Sequence, residues 1–254
     1  MKKMKKIAAL MLVGLMGLCT LAGCGSKTWN SSKIVFGTNP EFPPFEYVSS
    51  DGIIGEYDGI DMAIATKIGD MAGCDVEMQS LEFDSLLIAL NNGQIDAVIA
   101  GMTATEDRAK SVDFSTHYYT ATQVMIVKED SDIASAKDME GKNIAVVQGY
   151  TGETCVSEMG YSYEAFKKGT ECIMELVNGK CDVVVIDSAT AQKYIADNKG
   201  LKIVEDSENF ESEEYAIAVR KGDTELLNTI NSAIEQMLAD GTISELSAKY
   251  IDAE

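Results

Sequence analysis

From Lys33 onward the chain alternates apolar runs of strand length with amphipathic stretches of helix length, and that alternation limits the fold more than any other feature. Residues 34–38 form a short apolar strand. Ile60, Ala63, Ile64, Ile68 and Met71 then fall on one helical face. Residues 76–81 read as a strand, 85–90 as a helix stopped by Asn91-Asn92-Gly93, and 96–102 as a strand of the buried type. Such a pattern folds as sheets flanked by helices. It also echoes itself. Residues 87–100 and 174–186 both read as helix, Asn-Gly stop, aspartate, then apolar strand. A chain of 254 residues can hold one large domain or two modest lobes. The echo favours two α/β lobes of similar build, each around a mostly parallel sheet. The join is placed near residues 118–124, where Tyr118-Tyr119-Thr120 leads into a strand at 124–127. A second crossing falls near 211–216, before a strand at 215–219. Helices at 224–239 and 243–250 should close the chain against the first lobe. The first lobe is therefore 33–120 plus 217–254, and the second is 121–216.

The N-terminus stands apart. Lys2, Lys3, Lys5 and Lys6 precede an apolar run at 7–22, short for a bilayer span and of signal-peptide length. Leu21-Ala22-Gly23-Cys24 resembles a bacterial lipobox, which makes residues 1–23 a removable signal and Cys24 the site of a diacylglyceryl group. Two or more acyl chains, at ~0.8 kcal/mol per buried methylene, hold a soluble domain at a membrane surface. The alternative is an ordinary secretory signal with an incidental cysteine. Residues 24–32 are small and polar and read as a tether.

Losing those four lysines leaves 17 basic against 41 acidic side chains, a formal charge of −24. Nucleic acid and anionic lipid are poor partners for such a surface. Beyond Cys24 the chain has Cys74, Cys155, Cys172 and Cys181, no C-x-x-C, and His117 as its one imidazole. Neither a zinc cluster nor a Ser-His-Asp or Cys-His nucleophile is built easily from that set. No phosphate-binding or dinucleotide glycine fingerprint is present, so no cofactor is expected. Export permits disulfides, and four cysteines allow three pairings, among which the sequence does not choose.

What the chain offers instead is polar residues at strand ends, where open α/β sheets bind ligands. Residues 37–47 carry Asn39, Phe42 and a Pro43-Pro44 pair that stiffens the turn. Phe83 follows a strand and precedes a helix. Ala100-Gly101-Met102-Thr103 runs into a loop ending in Arg108. Gln148-Gly149-Tyr150-Thr151 forms a strand-to-helix turn whose free N–H groups suit an anion. Asp187 ends the apolar run 183–186.

The segments 37–45, Tyr57-Asp58-Gly59-Ile60-Asp61, 100–108 with Val112-Asp113-Phe114-Ser115, and Tyr118-Tyr119 resemble solute-binding family 3, the polar amino acid receptors of bacterial ABC importers. The likeness covers about residues 33–250. It implies a type II periplasmic-binding-protein-like fold, with two lobes joined by two crossovers and closing on a free L-amino acid, polar or cationic. It also implies as partners an ABC permease with its ATPase, and a lipid-anchored place on the outer face of the cell membrane. Arg108 matches the arginine that grips the ligand α-carboxylate, a task suited to a planar fork donor. Thr103, the Gly101 backbone and the Thr151 amide complete that cradle, with Ala100 and Gln148 beside them. Asp187 matches the acid that receives the α-ammonium, and Phe42 and Phe83 the aromatic pair that sandwiches the side chain.

Several residues depart from the family pattern. Asn39 stands where relatives often have aspartate, which favours an uncharged polar side chain, while two acids near the cleft favour a cationic one. Tyr150 replaces a threonine and should crowd the cleft. His117 reads as a hinge-side surface residue. Glu41 is the one nearby proton donor for a rival activity on this scaffold, dehydratase chemistry on prephenate-like acids. A second rival is a ligand-sensing subunit that reports to a membrane partner.

Overall fold

The computed structural model describes residues 31–251. The signal segment 1–23, the lipidation site Cys24 and most of the tether lie outside the described residues.

The chain runs through β1 (Lys33–Thr38), a ribbon of β2 (Glu41–Phe42), β3 (Glu46–Val48) and β4 (Tyr57–Asp58), then α1 (Ile60–Ala72) and β5 (Asp75–Ser80). It continues with α2 (Leu86–Asn91), β6 (Ala97–Val98), α3 (Glu106–Ala109) and β7 (Val112–Phe114). The middle of the chain is β8 (Tyr119–Lys128), β9 (Ile144–Val147), α4 (Thr151–Glu158), β10 (Tyr163–Phe166), α5 (Gly169–Val177) and β11 (Val183–Asp187). Then come α6 (Ser188–Asp197), β12 (Leu201–Val204), β13 (Ser212–Tyr215), β14 (Ala218–Arg220), α7 (Thr224–Ala239) and α8 (Thr242–Ile251).

These strands build two sheets, one per lobe. The first has the order β5-β1-β6-β14-β7 and the second β10-β9-β11-β8-β12. Pairing is parallel where consecutive βα units lie side by side, at β1–β5, β1–β6, β9–β10 and β9–β11. It is antiparallel where crossing or returning strands enter, at β8, β12 and β14. The sheets are therefore mixed, and the expected parallel character holds for only part of each. The crossings explain the difference. β8 first pairs with β13, Tyr119 opposite Tyr215, and then enters the second sheet beside β11.

The echo is structural as well as lexical. Asp96, ahead of β6, accepts the backbone N–H of Val35 at 2.9 Å, and Asp182, ahead of β11, accepts that of Asn143 at 2.8 Å. In both lobes one aspartate at the strand entrance satisfies a donor at the start of the neighbouring parallel strand.

Two expected strands come out shorter. Of 96–102 only Ala97–Val98 is laddered, because the chain then turns at Gly101, at φ 50°. A Cβ there would stand 2.6 Å from Cε1 of Phe42, so only glycine fits. The run 215–219 is split between β13 and β14, since its two ends pair in different places. α7 buries Leu226, Ile230, Ala233, Ile234 and Met237, spaced to lie on one face. Each of the larger ones, Leu226, Ile230, Ile234 and Met237, contributes about 1.5–3 kcal/mol. Asp223 caps this helix, and Tyr250 of α8 donates to Asp58 at 2.8 Å, which ties the C-terminus to the first lobe. Cys74, Cys155, Cys172 and Cys181 are free thiols.

Candidate functional site

The expected residues arrive from both sheets at one place. β1 delivers Asn39 and the ribbon Phe42. A short 3-10 turn at Phe83–Ser85 presents Phe83. The loop after β6 carries Ala100, Gly101 and Thr103, and leads to α3, whose N-cap Thr105 accepts the Arg108 N–H. From the second lobe, α4 opens with Thr151 and β11 ends in Asp187. All the expected residues except Asn39 and Gln148 line a single cavity, joined by Tyr150. Its volume is about 10 Å³, room for about one water.

Asn39 lies behind the cavity, donating to the Leu81 carbonyl at 2.9 Å and accepting from the Tyr150 hydroxyl at 3.3 Å. Gln148 is half-buried, its N–H held by the Phe166 carbonyl at 2.8 Å, and it does not reach the cavity. Tyr150 does more than crowd the cleft. Its ring meets Phe83 at 4.6 Å and Phe42 at 5.3 Å between centroids, and so occupies the space between the two.

Arg108 joins the lobes. Nη1 donates to the Thr103 carbonyl at 2.7 Å and Nη2 to the Gly149 carbonyl at 2.9 Å, with the guanidinium 5.2 Å from the Phe83 centroid. Burial pushes its pKa down, and Glu213 and Asp187 push it back, so the guanidinium remains charged. Asp187 is 3 % exposed and accepts from the Tyr215 hydroxyl. Burial raises its pKa, and the negative field of Glu213 adds to the rise.

Glu213 and Tyr215 were not foreseen. Their signal was the alternation of Ser212-Glu213-Glu214-Tyr215, which puts the two on one face of a crossing strand. Thr103 and Thr151 donate their hydroxyls to the same Glu213 oxygen, at 2.7 and 2.6 Å. Gln123 of β8 donates to the Thr151 oxygen at 3.1 Å.

Behind Phe42 lies a second acidic pair. Glu46 and Asp61 are both fully buried. Asp61 accepts from the Gly101 N–H at 2.7 Å and the Tyr118 hydroxyl at 3.0 Å. Burial lifts Asp61 to about 7. Burial, then the Asp61 charge, lifts Glu46 well above the carboxylate range. The other Asp61 oxygen and both Glu46 oxygens have no further partner among the described residues. A proton kept on Glu46 and shared with Asp61 gives a partner to one Glu46 oxygen and to the free Asp61 oxygen. His117 is exposed, its Nδ1 3.8 Å from Glu214, on the crossover side.

A cavity with a guanidinium from one lobe, a carboxylate from the other and aromatic rings between them suits a small zwitterion. Known proteins point the same way. The sequence model of bacterial extracellular solute-binding proteins, family 3, matches residues 34–253. The arginine-binding extracellular protein ArtP of Bacillus subtilis is 33 % identical, over 96 % of this chain and 98 % of its own length. A probable histidine-binding protein of Neisseria gonorrhoeae is 34 % identical, over 100 % of this chain and 98 % of its own. Among solved structures, an ancestral arginine-binding protein bound to arginine superposes with a TM-score of 0.80 at 39 % identity, covering 87 % of this chain and 98 % of that one.

Proposed function

Since the chain belongs to the bacterial extracellular solute-binding proteins, family 3, we propose that it serves an amino acid ABC importer by closing two lobes on one free L-amino acid. The observation that carries this reading is the meeting of Arg108 and Asp187 at one cavity, from different sheets. An α-carboxylate would take the guanidinium side and an α-ammonium the Asp187 side. Phe42 and Phe83 would sandwich the side chain once Tyr150 moves aside. The ligand is polar or cationic, a reading supported by the arginine- and histidine-binding relatives.

The lobes divide as 33–120 plus 217–254 and 121–216, a boundary supported by sheet membership and by the paired crossings β8 and β13. Cys24 would carry the lipid that keeps the receptor on the outer face of the membrane. Among the described residues no helix is long and apolar enough to cross a membrane. The reading is of a receptor rather than an enzyme. Glu41, the proton donor that an elimination would need, is ion-paired with Lys168 at 2.6 Å.

The test is a thermal-shift screen of the twenty amino acids. A ligand at ~100 times its dissociation constant should stabilise the protein by ~2.7 kcal/mol. A screen with no shift for any amino acid would defeat the reading.

A further inference from the structure

We propose that Glu213 is an internal occupant of the carboxylate cradle, holding the two lobes together until a ligand's α-carboxylate displaces it. The identity of that displacing ligand rests on the amino acid reading above. The Thr103 hydroxyl comes from the loop after β6 and the Thr151 hydroxyl from the start of α4, and both donate to Oε2 of Glu213. A hydroxyl has one proton, so while Glu213 is in place neither threonine can donate to a second carboxylate. Each Arg108 Nη gives one of its two N–H bonds to a backbone carbonyl, of Thr103 or of Gly149, so the guanidinium keeps donors to spare and the threonine hydroxyls do not. A second carboxylate in the same cradle would face like charge where water is scarce. Glu213 therefore has to leave for the ligand to enter.

The geometry allows that movement. The Glu213 backbone is fixed by pairing with Ala121 of β8, so the change is confined to the side chain. Besides meeting the cradle, Glu213 borders an adjoining open groove of about 850 Å³, where its carboxylate can hydrate. While seated, one oxygen carries a hydrogen bond from each lobe and acts as a clasp. A ligand then binds a protein whose competent state is only partly populated, and its apparent affinity drops by that fraction.

The experiment compares wild type, E213Q and E213A. Calorimetry uses the amino acid found in the screen of all twenty, and small-angle X-ray scattering is recorded before any amino acid is added. E213A is expected to bind about tenfold more tightly and to scatter as a more open particle than wild type. E213Q keeps an acceptor but no charge, and its affinity should fall between the two. A residue that merely supported the site would weaken binding when replaced, the opposite sign. Equal or weaker binding in both variants, or scattering unchanged between wild type and E213A, overturns the proposal. If no amino acid binds wild type, the receptor reading fails by itself, and the scattering comparison still decides whether Glu213 holds the lobes.

Discussion

The Tyr150 ring stands edge-on to that of Phe42, with 89° between their planes and 5.3 Å between centroids. Phe83 meets the other flank of Tyr150 at 4.6 Å. One aromatic from the second lobe is thus wedged between two from the first. The cleft satisfies itself: ring by ring through Tyr150, and polar group by polar group through Arg108 and Glu213.

Truncating Tyr150 should therefore loosen the protein. Replacing a buried aromatic by alanine costs about 3–5 kcal/mol where the site cannot collapse. Y150A should lie at the lower end of that range, because the lobes can settle. Y150F keeps the ring contacts and loses only the long bond to Asn39, so it should stay within about 1 kcal/mol of wild type. Urea unfolding of both variants measures this. A Y150A midpoint equal to that of wild type would mean that the ring is not packed as described.

Arg108 is the residue on which ligand affinity should depend most. R108A leaves an α-carboxylate without its charged partner, an effect of about 2–5 kcal/mol or roughly thirtyfold and more in affinity. R108K should recover only part of it, since an ammonium cannot donate two parallel bonds. Calorimetry on the three proteins gives the ranking. Equal affinity in wild type and R108A would place the carboxylate elsewhere.

How much of this was legible before the fold was known depends on the range of the interaction. The helices and the strand ends followed from local periodicity, and so did the placing of Phe42, Phe83, Arg108 and Asp187 at chain positions that could converge. The echo aspartates, Asp96 and Asp182, were visible as letters, but their shared hydrogen-bonding role needed the neighbouring strands. The parallel pairs were legible, but the antiparallel ones were not, because the direction of β8 and β14 is set by crossings far apart in sequence. Gln148 looked like a site residue because it sits beside Gly149, yet its backbone is engaged by Phe166 and its side chain stays outside. Glu213 was missed for a related reason. An acid in a crossover strand reads as surface until the strand is seen to form a wall of the cleft.

The lips of the cleft carry two ion pairs between lobes, Lys168 with Glu41 at 2.6 Å and Lys167 with Asp84 at 2.7 Å. Both are partly exposed, so they act at the mercy of salt. K168A should speed ligand release at low ionic strength, and the difference from wild type should shrink as salt is raised. Stopped-flow release in the two conditions reads it. A salt-independent difference would mean that Lys168 acts through packing instead.

The buried pair Glu46–Asp61 should contribute to how stability varies with pH, alongside the raised Asp187. Burial raises the folded-state pKa of Asp61 from 3.8 to about 7. Below the unfolded value both states hold the proton and the contribution of the pair is intact. As pH climbs from there towards about 7, the unfolded chain releases a proton that the folded one keeps, and stability is lost until Asp61 ionises in the fold as well. Between about pH 5 and 7 this amounts to about 2–3 kcal/mol for one group. In D61N the side-chain carbonyl can still accept from Gly101 and Tyr118, and the amide can donate to Glu46. That variant should keep its fold and lose Asp61's share of the slope, while the shares of Glu46 and Asp187, which burial also raises, remain. Urea midpoints at the two ends of the window decide the matter: a wild-type slope matched by D61N would show that the proton is held elsewhere.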